Sequence, residues 1–220
     1  MKEKGIEISK EDLTQTVKAV RDAMQVVVPG PMAVMRWIES EISKAINRGQ
    51  HAWVDVTEKD ENNKLVVVKR WRPIDQEFQW TTPSGFVVTQ KIMSKQITRL
   101  QLQLLGGCQL KVATDHDSIV DKSRHKAATA PNLIHSLDAS LLHLAVDRFD
   151  KPIALIHDSV LCRATDMSLL SSIVRETYMK LFAKHDYLTD FARQIGAETE
   201  PPIIGNLEPE TVIDSTYFFC

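Results

Sequence analysis

Pro152-Ile-Ala-Leu-Ile-His157-Asp158-Ser159-Val-Leu-Cys162 decides the reading of this chain: an apolar run stops at His-Asp and resumes as a second apolar run. Two short strands joined by a two-residue turn fit that pattern. Because the flanks are apolar on both strand faces, the expectation is a buried hairpin with Asp158 at its tip. An ionised carboxylate in apolar surroundings needs a cation or a buried donor as partner, and a divalent metal is the functional answer to that need. The competing reading is a polar turn in an ordinary hairpin, since Asp is also a favoured turn residue.

Immediately before this hairpin, Ala130 to Phe149 has helical spacing, with Ile134, Leu137, Leu141, Leu144 and Ala145 inward and His135 and Asp138 three apart on an adjoining face. His135 reads as a partly buried histidine satisfied by a neighbour such as Asp138, on a helix able to pack back on the hairpin so that His135 and Asp158 share one cleft. After the hairpin, Thr165 or Asp166 caps a further helix whose stripe is Leu170, Ile173, Val174, Tyr178, Leu181 and Phe182.

Further upstream, Thr98-Arg-Leu-Gln-Leu-Gln-Leu-Leu-Gly-Gly-Cys-Gln-Leu-Lys-Val112 alternates with period two on both sides of Gly106-Gly107. A three-residue Gly-Gly-Cys turn would set Gln103 opposite Lys111 and Leu104 opposite Leu110. That register sorts the ribbon into an apolar face (Leu100, Leu102, Leu104, Leu110, Val112) and a polar face (Arg99, Gln101, Gln103, Gln109, Lys111). Arg can bridge guanine O6 and N7, Gln can bridge adenine N6 and N7, and a two-stranded ribbon fits the major groove. A half-exposed hairpin with a solvated face is the alternative.

The segments before the ribbon are two helices, residues 10 to 28 and from Pro31 to Gly49, followed by β pattern from His51 to Gln90. A polar loop separates the ribbon from Ala130. Within it, Asp115-His116-Asp117, Asp121 and His125 match neither a calcium loop nor a zinc helix and read as solvated. His157, Asp158 and Ser159 cannot form a relay triad, because neighbours on a strand point to opposite faces.

Composition bounds the rest. The chain has 220 residues, 43% apolar and 25% charged, enough for one good core in an α+β arrangement. No apolar run approaches a membrane span, and no signal-peptide core is present, so a cytoplasmic protein without a membrane partner is expected. Cys108, Cys162 and Cys220 are odd in number and widely spaced, which argues against a disulfide framework and a zinc knuckle. A net charge of -2 confines any nucleic-acid surface to a local patch.

Ala130-Pro-Asn-Leu-Ile-His135-Ser-Leu-Asp138-Ala-Ser140, followed by Ala154-Leu-Ile-His157-Asp158-Ser159, closely resembles the C-terminal part of the single-subunit RNA polymerases of phage and mitochondria. Trp80-Thr-Thr-Pro-Ser-Gly85, Gln96-Ile-Thr-Arg99-Leu and the ending from Gly205-Asn-Leu207 to Ser215-Thr-Tyr-Phe-Phe-Cys220 resemble the same family, in the family's order. The resemblance implies a partial right-hand polymerase: fingers over 1–129 with a specificity hairpin at 97–113, part of the palm over 130–200, and a C-terminal foot over 201–220. It implies that Asp158 is one of two catalytic aspartates holding magnesium, that His135 contacts the incoming nucleotide or the nascent base pair near the ribose, and that Arg99, Gln101, Gln109 and Lys111 face promoter DNA. DNA template, RNA product and ribonucleoside triphosphates follow as ligands. It also implies that the terminal Tyr-Phe-Phe-Cys packs beside the active site, and an aromatic terminus is itself a sign of a docked tail.

Two family features are missing. The other metal-binding aspartate belongs to an Asp-Gly-Ser motif, and the chain has no Asp-Gly dipeptide; none of Tyr178, Tyr187 and Tyr217 precedes glycine, as the nucleotide-binding helix requires. The expectation is a chain inactive alone, either a separately encoded piece that assembles with an N-terminal polypeptide or a truncated frame, with apolar surface exposed on the helices at 10 to 46. A non-catalytic DNA-binding protein derived from a polymerase is the alternative, and an unrelated hydrolase using Asp158 and His135 ranks last for want of a nucleophile.

Overall fold

The computed structural model describes residues 9–59, 61, 62, 64–102, 108–183, 185–203 and 205–218. Helices α1 (Lys10–Val27) and α2 (Pro29–Arg48) come first, followed by antiparallel pairs β1 (His51–Lys59) with β2 (Leu65–Pro73), and β3 (Phe78–Thr81) with β4 (Val87–Gln90). The long ribbon β5 (Met93–Leu102) with β6 (Cys108–Val120) leads into α3 (Lys122–Asp147). The short hairpin β7 (Ile153–Ile156) with β8 (Ser159–Cys162) precedes α4 (Met167–Ala183) and α5 (Tyr187–Ile195). Helix and strand are mixed, with every described sheet two-stranded.

The side chain of Ser9 accepts from the Asp12 amide at 3.0 Å and caps α1, but the stripe of α1 does not enter a core. Leu13, Val17, Val20 and Met24 stay more than 40% exposed, whereas Ile38, Ile42 and Ile46 of α2 are fully buried. A first cluster joins Trp37, Ile38, Ile42 and Ile46 of α2 to Phe78 and Trp80 of β3, Ala130 and Leu133 of α3, and Phe191 of α5. A second gathers Ala145 and Phe149 with Leu170, Ile173 and Val174 of α4. One long helix, α3, therefore serves both cores, and residue 130 lies inside it.

The polar loop expected before Ala130 is absent. Strand β6 runs to Val120 and α3 begins at Lys122, eight residues earlier than the apolar spacing indicates. Polar groups select the buried face of this first stretch: His125, Thr129 and Ser140 are buried, Leu133 is buried, and Ile134 is 52% exposed. The Gln90 amide lies 3.0 Å from His125 Nδ1, 2.9 Å from Thr129 Oγ1 and 2.8 Å from Asn132 Nδ2. The Ile92 amide donates to His125 Nε2 at 2.9 Å, so that ring nitrogen acts as an acceptor. Asp121 caps α3 by accepting from the Arg124 amide at 3.0 Å.

Burial depresses the His125 pKa below the ordinary histidine value, against the opposing pull of Asp121. The unfolded chain therefore takes up this proton first on acidification. Stability is expected to be full above about pH 6.5, where both states are neutral, and to decline as pH falls from there toward the folded value. Thermal melts between pH 7.5 and 5 check this, and His125→Gln should flatten that part of the profile.

Candidate active site

The hairpin β7–β8 pairs Ile153 with Cys162, Ala154 with Leu161, Leu155 with Val160 and Ile156 with Ser159, which leaves His157 and Asp158 as a two-residue turn. His157 adopts φ 58, in the left-handed region that a tight hairpin turn requires and that His tolerates better than branched residues. On the inner face, Ile153, Val160 and Cys162 pack against the cluster of Ala145, Phe149, Leu170, Ile173 and Val174. The expectation of a buried hairpin is corrected here: Ile156 is 61% and Leu161 57% exposed, and Asp158 is exposed. The strands are apolar on both faces, but no described element of this chain covers the outer one.

Asp158 thus presents its carboxylate outward on a seated turn. Among the described residues, the Ser159 hydroxyl lies 3.4 Å from its Oδ1 and no ion pair engages it. A carboxylate of this kind has the chemistry of a hard-cation ligand: it is an anionic oxygen donor and is free to turn to an ion. No group of three or more His, Cys, Asp or Glu side chains converges on a metal position among the described residues. Any metal position that included Asp158 would need its other protein ligands from outside the described residues.

His135 is exposed on α3, as is Asp138, and no hydrogen bond joins the two. The reading of His135 as a partly buried, Asp138-satisfied side chain is therefore corrected. Helix α3 links His135 to the Asp158 hairpin: Leu141, about 9 Å further along the helix, and Ala145 form part of the surface on which the hairpin sits. A cavity of about 550 Å³ lies elsewhere, lined by residues such as Trp80, Leu133, Asp147, Lys180 and Phe191, and contains neither His135 nor Asp158.

In the ribbon, Arg99 is opposite Lys111, Leu100 opposite Leu110, Gln101 opposite Gln109 and Leu102 opposite Cys108. The expected register, with Gln103 opposite Lys111, is displaced by four residues, and the three-residue Gly-Gly-Cys turn is overturned with it. Gln103 and Leu104 fall outside the described residues. Four is even, so the sorting of the strands into two faces survives. Arg99, Gln101, Gln109 and Lys111 share one face by backbone register, and Gln101 is exposed, while Leu100 and Leu110 on the other face remain 47% and 44% exposed.

The ribbon also extends beyond 97–113, and Asp115, His116 and Asp117 lie within β6 rather than in a loop. Lys95 Nζ pairs with Asp115 at 2.6 Å, and His116 Nδ1 accepts from the Ser118 and Ile119 amides. A register shift between Met93 and Lys95 and the bridge from Ile74 to Ile119 mark where the ribbon leaves the body.

The terminal aromatic cluster is docked only in part. Phe218 packs on the second core, whereas Tyr217 is 91% exposed, and Phe219 and Cys220 lie outside the described residues. Its anchor is Arg175 on α4, a residue that sequence alone does not mark, because an Arg beside an apolar stripe reads as solvated.

Residues 6–204 match the model of the family described as DNA-dependent RNA polymerase. The DNA-directed RNA polymerase of Enterobacteria phage K11 is 28% identical over 219 residues, covering 92% of this chain and 23% of the relative. T7 RNA polymerase of Escherichia phage T7 is 28% identical over 219 residues with the same coverage, 92% and 23%. The mitochondrial DNA-directed RNA polymerase 1 of Arabidopsis thaliana is 31% identical over 150 residues, covering 64% of this chain and 15% of the relative. The chain thus spans less than a quarter of the length of these curated relatives.

Proposed function

The chain belongs to the DNA-dependent RNA polymerase family, and from that premise we propose that it supplies one catalytic half of a DNA-directed RNA polymerase: the second metal-binding aspartate, a nucleotide contact and the promoter-reading ribbon. The observation that carries the reading is Asp158, held at the tip of a two-residue turn with its carboxylate free of any ion pair among the described residues. Magnesium bound there would supply activation of the primer hydroxyl and charge neutralisation on the leaving pyrophosphate.

The residues of this chain have separable tasks in that scheme. Asp158 contributes negative charge and an oxygen ligand at a fixed position, because its strands are seated on the second core. His135, exposed on α3, donates to or stacks beside the incoming ribonucleoside triphosphate, and His135→Ala should raise the nucleotide KM. Arg99, Gln101, Gln109 and Lys111 present one polar face to promoter DNA. The segments correspond to fingers over 1–129, palm over 130–200 and foot over 201–220.

The partner is a polypeptide carrying the second catalytic carboxylate and the triphosphate-binding helix. Two uncovered apolar surfaces support such a partner: the stripe Leu13, Val17, Val20 and Met24 on α1, and Ile156 with Leu161 on the hairpin. Extension of an RNA primer on a DNA template, with magnesium and ribonucleotides, tests the proposal. Extension by this chain mixed with a polypeptide supplying the upstream part, and none by either alone, is expected. Extension by this chain alone would overturn the need for a partner. Promoter binding without extension in the mixture would favour a non-catalytic DNA-binding protein, a role to which the free-standing ribbon is also suited.

A further inference from the structure

Residues 209–218 fold back along α4, and a single guanidinium gathers them. Arg175 Nη1 donates to the Val212 carbonyl and to the Ser215 carbonyl at 2.6 Å, with the Ile213 carbonyl at 3.5 Å. Arg175 Nε reaches Ser171 Oγ at 3.5 Å, and Cζ stands 5.4 Å from the centre of the Phe218 ring. The one-turn helix Pro209–Val212 ends at the first of these carbonyls, and an end carbonyl without a helical partner needs a donor. A planar fork is suited to this task, because it can bridge two carbonyls and still lie against an aromatic face, whereas an ammonium is a point charge.

Phe218 carries the connection inward. It meets Tyr178 edge-on at 5.0 Å and packs against the cluster of Ala145, Phe149, Leu170, Ile173 and Val174. Ile153, Val160 and Cys162, the inner face of the Asp158 hairpin, pack against that same cluster. The tail and the hairpin thus share one small core, and Val160 is two residues from Asp158. We infer that Arg175 is a positioning residue: by clamping residues 209–218 it holds Phe218 in the second core and so steadies the turn that presents Asp158. The mechanical link stands on the contacts alone, and its meaning for nucleotide addition rests on the polymerase reading.

Amide hydrogen exchange on the whole chain, without metal or nucleotide, tests the link. In Arg175→Ala, amides of 209–218 and of 153–162 should exchange at least about tenfold faster, while β3 and β4 in the first core stay unchanged. Arg175→Lys keeps the charge but not the fork and should fall between the two. Phe218→Ala, which leaves the Arg175 carbonyl contacts possible, should reproduce the effect at 153–162. Faster exchange confined to 209–218 would overturn the inference and leave Arg175 a tether of the tail. If Arg175→Ala loosens the whole chain, Phe218→Ala decides, and unchanged exchange at 153–162 in that variant overturns the inference. Failure of the polymerase reading would not move any of these readouts.

Discussion

Replacing Asp158 by Ala is expected to lower RNA extension by the assembled polymerase at least about a hundredfold, since losing even an outer-shell partner of a metal ligand costs 10- to 100-fold. The reason is local. Asp158 stands on a turn of fixed length, between strands whose inner face is seated in the second core. Neither neighbour can replace its carboxylate, because His157 and Ser159 carry no negative charge. Asp158→Asn keeps the shape and loses the charge, so its activity should be as low as that of Asp158→Ala, while Asp158→Glu keeps the charge on a longer stem and should retain more. Single-turnover extension measures all three. Activity of Asp158→Asn within a few fold of the parent would leave the aspartate as a turn residue, which is the bland reading of the motif.

The second large effect concerns Glu41, buried on α2 at 1% exposure. Lys44 Nζ donates to its Oε1 at 2.6 Å, the Glu198 amide to Oε2 at 2.6 Å and the Thr199 hydroxyl to Oε1 at 2.8 Å. Trp37 Nε1 reaches the Thr199 carbonyl at 3.2 Å, and Arg48 pairs with Glu198, so the stretch after α5 is fastened to α2 around this carboxylate. Burial alone would raise the Glu41 pKa, but the lysine, the amide and the hydroxyl outweigh it and hold the value at about 2, below the ordinary 4.5. Because the folded value is the depressed one, the stabilisation is full above the unfolded value near 4.5 and disappears as pH falls toward 2. Its size at neutral pH is about 3 kcal/mol. Glu41→Ala also leaves buried donors unpaired and should cost a similar amount, lowering Tm by about 6–12 °C in a domain of this size. Glu41→Gln keeps acceptors for two donors and should lose less. Thermal melts of the three proteins at pH 7 and pH 3 check both claims, since the gap between the parent and Glu41→Ala should narrow at the lower pH.

Much of the local structure is legible in the sequence because it depends on short-range pattern. The two helices over 10 to 28 and 31 to 49, the stripe of α4, and the hairpin at His157-Asp158 all follow from spacing and turn chemistry. The ribbon shows where that information stops. Registers differing by an even number of residues place the same side chains on the same faces, so Leu and Gln alternation cannot choose between them, and the pairing expected from a Gly106-Gly107-Cys108 turn lies four residues from the one observed. The start of α3 is hidden for another reason. Its first turns bury His125 and Thr129 through a hydrogen-bond network with Gln90, and polar residues in that order resemble a loop until the partner strand is in place. Exposure of Ile156 and Leu161 is likewise beyond pattern reading, since apolar residues on both strand faces specify burial without naming what covers them. Arg175 is the converse case: its neighbours in sequence are uninformative, and its role depends on a tail nearly forty residues away, the Val212 carbonyl lying 37 residues further along the chain.

The most direct test of the central claim is to locate the metal. With iron(II) in place of magnesium in the assembled polymerase and hydrogen peroxide added as oxidant, hydroxyl radicals generated at the bound ion cut the polypeptide chain close to its ligands. A cut in this chain within the turn around Asp158, lost in Asp158→Ala and competed away by magnesium, is expected. Cutting confined to the partner polypeptide, with this chain intact, would contradict it.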